Sequence, residues 1–167
     1  WTFMSPPDDT PQRIAPDGRP ELIVHCRAPY LERRAEGDVV QPPVLFAGQI
    51  TYPLTLVAQG EAAVVGVRFH AYAARAFLGV DAYAATDKRI DLNALHGEAA
   101  MRLGRDVGEL GVYDRPGDVV EDYVEARLNG AHIDDDVKSA VEAMFAGEET
   151  ARPAHIAERQ WQRRFRG

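Results

Sequence analysis

The chain is poor in the residues that most covalent and metal chemistry needs. Of its 167 residues one is cysteine, Cys26. A single thiol builds neither an internal disulfide framework nor a Cys-rich zinc site. The serines are Ser5 and Ser139 alone, and neither stands in the Gly-x-Ser-x-Gly setting of a hydrolase nucleophile. No Gly-rich phosphate loop is present. No run of 18 apolar residues occurs, so no segment has the length of a transmembrane helix. The chain also does not open on a basic stretch followed by an apolar one, the pattern of an intact signal peptide. What is there is ordinary for a folded protein: 46% hydrophobic and 27% charged residues, with enough length for one domain and its core.

Basic charge is scarce except at one end. The 19 Lys and Arg against 26 Asp and Glu give −7. Taken whole, that balance argues against a nucleic-acid binder. By position it reads differently. Residues 151–167 carry Arg152, Arg159, Arg163, Arg164 and Arg166 against Glu158, a net +4, which leaves −11 on residues 1–150. An acidic body thus precedes a short basic segment. Trp1 is not an initiator Met, and Gly167 falls two residues after an apolar helical position, so both ends read as cuts in a longer protein.

Nine of the eleven prolines lie at or before Pro53. Proline is excluded from helix interiors and central strand positions, so the first third reads as short strands and turns. Residues 1–20 read as an irregular arm, with a turn at Asp17-Gly18. Glu21–Cys26, Val44–Thr51, Leu54–Gln59 and Ala62–His70 read as strands. In the last, Ala63, Val65, Val67 and Phe69 share one face, and Val64, Gly66, Arg68 and His70 the other. After His70 the period turns helical. Tyr72–Leu78 is stopped by Gly79, Asp91 caps Leu92–Leu95, and Glu98–Asp106 follows. Pro116 opens a helix to about Leu128, closed by Gly130, with the apolar stripe Val119, Val120, Tyr123, Val124 and Leu128. Asp134, Asp135 and Asp136 suit a helix N-terminus, ahead of Val137, Ala140, Val141, Met144 and Phe145. They lack the alternating spacing and closing Glu of a calcium loop. Ala157–Arg166 reads as a last helix.

Three residues are candidates for lining a ligand pocket: Arg68, His70 and His25. Arg68 and His70 share a strand face, where Arg68 suits an anionic group. The preferred reading is that Arg68 closes a structural ion pair with an acid such as Glu21 or Asp87. Cys26 has only Arg27 beside it to lower its pKa and reads as a small core residue.

The segment His155–Gly167, HIAERQWQRRFRG, resembles the AraC/XylS family of bacterial transcription regulators. The recognition helix of that family's first helix-turn-helix has the form Ser-x-Arg-x-Leu-x-Arg-x-Phe, and Glu158-Arg159-Gln160-Trp161-Gln162-Arg163-Arg164-Phe165 fits it. Trp161 and Phe165, four apart, share one apolar stripe and would form the helix-turn-helix core. The resemblance implies that Arg159, Gln162 and Arg163 face DNA. Arg and Gln pair bidentately with guanine and adenine edges. Arg164 and Arg166 are the remaining DNA-contact candidates, Arg164 at phosphate. A solvated Arg-rich helix face is the alternative reading. Upstream, Asp17-Gly18-x-x-Glu21, Phe46-Ala-Gly48-Gln49, Gly66-Val-Arg68-Phe69, Leu78-Gly79-Val-x-Ala82, Thr86-Asp87 and Asp91-Leu92 recur in order. They resemble an uncharacterised N-terminal domain that precedes AraC-type DNA-binding domains, over about residues 16–130.

Three departures stand out. Only eight residues, Pro153 among them, separate Gly147 from Ile156, which cramps the helix before the recognition helix. Ala157 replaces the usual Ser N-cap, a loss of about 1 kcal/mol. The second helix-turn-helix is missing, so these 167 residues are expected to bind DNA weakly or not at all. Better-known AraC-type sensors use a cupin-like barrel, but the five histidines include no His-x-His pair, and neither a metal nor another cofactor is expected.

The expected fold class is α+β: an N-terminal antiparallel β-barrel or sandwich, a cupin-like barrel among its forms, followed by an all-helical segment. Residues 1–20 form the arm, 21–130 the regulatory β-rich domain with its helical extension, and 134–167 the beginning of a helix-turn-helix domain. The expected function is ligand sensing or dimerisation in a cytoplasmic, non-enzymatic DNA-binding regulator. Its partners would be double-stranded DNA in the full-length protein, a small-molecule effector and a second copy, with no membrane. A stand-alone ligand-binding or structural β-barrel module is the alternative, followed by a small β-barrel isomerase or hydrolase.

Overall fold

The computed structural model describes residues 1–5, 9–111 and 114–146. The chain divides into two compact units, Trp1–Ala131 and His132–Gly167.

Among the described residues the first unit holds nine strands: β1 Thr2–Ser5, β2 Gln12–Ile14, β3 Glu21–His25, β4 Leu31–Arg33, β5 Val39–Val40, β6 Val44–Ala47, β7 Leu54–Val57, β8 Ala62–Arg68 and β9 Arg89–Asp91. They form a five-stranded sheet in the order β1-β8-β3-β6-β9 and a four-stranded sheet in the order β2-β7-β4-β5. Every described pairing is antiparallel. β1 and β9 are edges of the larger sheet, β2 and β5 of the smaller, so the strands do not close into a barrel. The fold is therefore α+β with two antiparallel sheets, and the barrel expectation is corrected.

The expected arm contains two paired strands among its described residues. β1 pairs with β8 from Thr2↔Val65 to Ser5↔Ala62, and β2 pairs with β7. Strands of three or four residues carry almost no periodic signal of their own, because their partners hold them. Gly66 on β8 admits Trp1: a Cβ there would lie 2.6 Å from the indole and 2.8 Å from the Leu22 carbonyl.

Helices cover one face of the larger sheet. α1 Ala71–Leu78 ends at Gly79 in the left-handed conformation, φ 74°. A 3-10 turn spans Tyr83–Ala85. α2 Leu92–His96 is capped by Asp91, whose carboxylate accepts the Asn93 N–H at 2.8 Å. α3 Glu98–Leu110 runs a turn past the expected end at Asp106. α4 Pro116–Leu128 has proline in its first turn, where the lost N–H costs nothing.

The alternation of β3, β6 and β8 sends Leu22, Val24, Val44, Phe46, Ala63 and Val65 to the helix side. There they meet Phe77, Leu92, Leu103, Val107 and Val120 in one continuous core. Phe77 is its centre, with ring centroids 5.8 Å from Phe46, 4.8 Å from Phe69, 5.5 Å from His96 and 6.1 Å from Tyr123. Cys26 belongs to this core, and burial raises its thiol pKa. The opposite side of the sheet has a smaller cluster of Tyr30, Ala58, Ala62 and Val64, against which Ile23 and Leu56 pack.

In the second unit, α5 Asp135–Phe145 begins at Asp134, whose carboxylate accepts the N–H groups of Asp136 and Val137. Its stripe of Val137, Ala140, Val141, Met144 and Phe145 is not fully buried by any described residue.

Candidate ligand-binding site

The face of the larger sheet away from the helices is only partly filled by side chains. A cavity of about 430 Å³ lies there, lined by residues of both sheets, among them Ile23 of β3, Leu54 and Leu56 of β7, and Ile14 of β2. Volume and mixed lining are those of a small-molecule pocket.

Three of the charged lining groups come from a single row across the larger sheet, and Asp17, Arg19, Gln12 and Gln41 line the cavity as well. Arg68 pairs with Glu21, Glu21 with Ala47 and Ala47 with Arg89, so β8, β3, β6 and β9 each give one residue to the row. Partners across antiparallel strands project to the same face. All four line the cavity, with an arginine near each end.

The two ends differ in charge and burial. At one, Arg68 is half exposed and faces two acids: Nε donates to Glu21 Oε1 at 2.7 Å, and Nη1 lies 3.1 Å from Asp17 Oδ2. The bond to Glu21 holds the guanidinium pKa above its ordinary value. At the other, Arg89 and Glu32 are both about 97% buried. Arg89 Nε donates to Glu32 Oε2 at 2.7 Å and Nη2 to Oε1 at 3.2 Å, a bidentate bridge from one sheet to the other. Arg34 also donates to Glu32 Oε1, at 2.9 Å. Two guanidinium groups thus share one buried carboxylate. Arg89 Nη1 is buried without a hydrogen-bond partner. A buried donor left this way carries the full desolvation cost of an unmade bond.

Gln41, also buried, lines the cavity beside Tyr30 and is the polar neighbour of His25. Burial pushes the His25 pKa down to about 4, which leaves the ring neutral near pH 7. Neither of its nitrogens has a well-formed hydrogen bond.

Of the sequence-predicted pocket residues, Arg68 lines the cavity, but its charge is taken by Glu21 and Asp17. The expected alternative acid, Asp87, instead accepts the Thr51 N–H and hydroxyl, each at 2.7 Å. His25 stands on the same sheet face, behind Tyr30 at a ring distance of 5.8 Å, and does not line the cavity. His70 leaves the strand as the N-cap position of α1 and stacks on Tyr72 at 5.1 Å, away from the lining. Arg159, Trp161, Gln162, Arg163, Arg164, Phe165 and Arg166 lie outside the described residues.

The ordered motifs noted in the sequence serve the core and helix ends as well as the site. A Cβ on Gly48 would fall 1.8 Å from the Ala85 carbonyl oxygen, so glycine is required where the 3-10 turn crosses β6's end. Gln49 donates to the Gly18 carbonyl at 2.7 Å and ties two motifs together. Sequence reasoning missed Arg89, Glu32 and Gln41. Arg89 lies between the noted pairs Thr86-Asp87 and Asp91-Leu92, but nothing local distinguishes Glu32 from the charged residues beside it. Among the described residues no cluster of His, Cys, Asp and Glu is placed to hold a metal ion. No described helix is long and apolar enough to cross a membrane.

A family model for a domain of unknown function, DUF6597, matches residues 1–91. No curated protein and no solved structure matches the chain. The matched span ends with β9, so it contains both sheets and every residue lining the cavity. That span is more than half of the 167 residues, and the chain belongs to the DUF6597 family of domains of unknown function.

Proposed function

We propose that this chain is the regulatory part of a cytoplasmic bacterial transcription regulator of the AraC type. In this reading the two-sheet unit takes up a small molecule, and binding or self-association there biases how a following DNA-binding segment engages its operator. The observation that carries the DNA-binding half is the run Glu158–Phe165. Were it helical, Arg159, Gln162 and Arg163 would lie away from an apolar Trp161/Phe165 stripe, in a segment of net charge +4 that follows a −11 body in the sequence. The acidic body would be repelled by phosphate and would leave DNA contact to that segment. Support for the sensing half is the cavity between the sheets and its orphaned buried donor.

DNA binding by the full-length protein tests the reading. Fluorescence anisotropy on the duplex upstream of its own gene should show salt-dependent binding. Arg163→Ala should weaken it about ten- to hundredfold. Absence of binding at low salt, or unchanged affinity in an Arg159→Ala/Arg163→Ala variant, would overturn it. The cavity also favours a second reading, a ligand-binding module that acts without DNA. The outcome for that reading is saturable ligand binding in a protein that shows no DNA affinity.

A further inference from the structure

We propose that the cavity is built for an amphipathic anion, a small carboxylate with an apolar body, and that Arg89 rather than Arg68 takes its head group. This deepens the sensing reading above and rests on it.

The argument begins with acceptors. A guanidinium has five N–H donors and no acceptor. Glu32 satisfies Nε and one Nη2 bond of Arg89, and Nη1 is left buried with none. The same carboxylate also serves Arg34. This cluster therefore sets the buried Arg89 and the half-exposed Arg34 against one buried negative charge. The further acid near it, Asp87, sits at the surface and is engaged by Thr51. At the opposite end of the row Glu21 and Asp17 already engage Arg68. An anion is drawn to the Arg89 end, since the guanidinium at the other end is already paired. Gln41 adds a buried amide to the same lining.

The rest of the ligand follows from the wall. Ile14, Ile23, Leu54, Leu56 and Val64 offer aliphatic surface, and no further buried charge faces them among the described lining residues. A polyanion such as a nucleotide would place its remaining charges against that wall. One carboxylate on an apolar body leaves none there.

The test is titration calorimetry and thermal shift of the 167-residue protein with two pairs of probes: phenylpropanoate against phenylpropanol, and octanoate against octanol. The carboxylate of each pair should bind at least about tenfold tighter, the value of a charge-assisted bond to a buried donor. Because Arg89 supports the fold, its role is read in the double substitution Arg89→Met/Glu32→Leu, which replaces the ion pair by apolar groups of similar size. That variant should bind the alcohols as before and lose the preference for acids. Leu56→Trp, which fills the cavity, should abolish binding of all four. Equal affinity for acid and alcohol in the parent overturns the anion assignment and leaves the sensing reading intact. So does a preference that survives the double substitution. Silence of all four probes overturns the assignment. Silence across a broad metabolite panel as well overturns the sensing reading with it.

Discussion

The two faces of the five-stranded sheet are built from the same strands and have opposite characters. Toward the helices, Leu22, Val24, Phe46 and Val65 are completely or almost completely buried against Phe77, Leu92 and Val120. Toward the second sheet, the alternate residues of those strands are Glu21, Ile23, Ala47 and Arg68, around a cavity of about 430 Å³. Close packing is the rule in protein interiors, and unfilled volume forfeits contacts. A face kept hollow, and furnished with a buried ion pair that is one acceptor short, is costly as structure. That cost is consistent with the receptacle proposed above.

The largest effects should come from removing a keystone on either face. Phe77→Ala should cost about 3–5 kcal/mol of unfolding free energy in urea denaturation. Ile23→Ala, facing space that is already open, should cost less than about 2 kcal/mol. Equal losses would mean that the two faces are packed alike. Glu32→Ala should also cost about 3–5 kcal/mol, because it strands Arg89 in the interior. A loss below about 1 kcal/mol, the range of surface pairs, would show that the bridge is solvated.

Next in size is a pH effect confined to the hollow side. His25 has a folded-state pKa near 4 against an ordinary 6.5. As pH falls through that window the unfolded chain takes up a proton that the folded chain excludes. His25 therefore costs nothing above 6.5 and lowers stability progressively toward 4, by about 3 kcal/mol at full development. In His25→Gln this contribution should vanish. The stability difference between variant and parent, followed by urea denaturation from pH 7 to 4, should shift by about that amount in favour of the variant. A difference that stays flat with pH would place the ring in water.

Smaller effects belong to the helix layer's edges. Asp91→Ala removes the cap of α2 and should cost about 1 kcal/mol in the same denaturation assay. Glu98→Gln breaks an exposed pair with Arg102 at 3.6 Å and should change stability by less than about 0.5 kcal/mol. A larger loss at Glu98 would mean that α3's outer surface is an unrecognised part of the packed face.

Much of the helix side was legible because its signals are local. Pro116, Gly79, Asp91 and Asp134 mark helix ends by backbone geometry or a capping carboxylate, and each does so where expected. The division of β8 into two faces followed from alternation alone. The hollow side was less legible. Arg68 was recognised, and its ion pair with Glu21 was one of two alternatives. The decisive pair, Glu32 and Arg89, lies 57 residues apart on strands of three residues each. Neither strand is long enough to announce itself, and β1, β2 and β5 escaped for the same reason.

The sequence by itself determined the α+β class, the longer strands and the helices, several helix ends and the split between an acidic body and a basic end, but not β9, which follows α1. Each depends on neighbours within a few residues, through dihedral preference, capping or periodicity. Only the tertiary structure decided that the strands form two open sheets, that Gly48 and Gly66 are sites of close approach, and that Arg89 stands in a cavity with a donor to spare. Those depend on which distant segments meet, and there the cost of burying a charge is set by partners that no local pattern names.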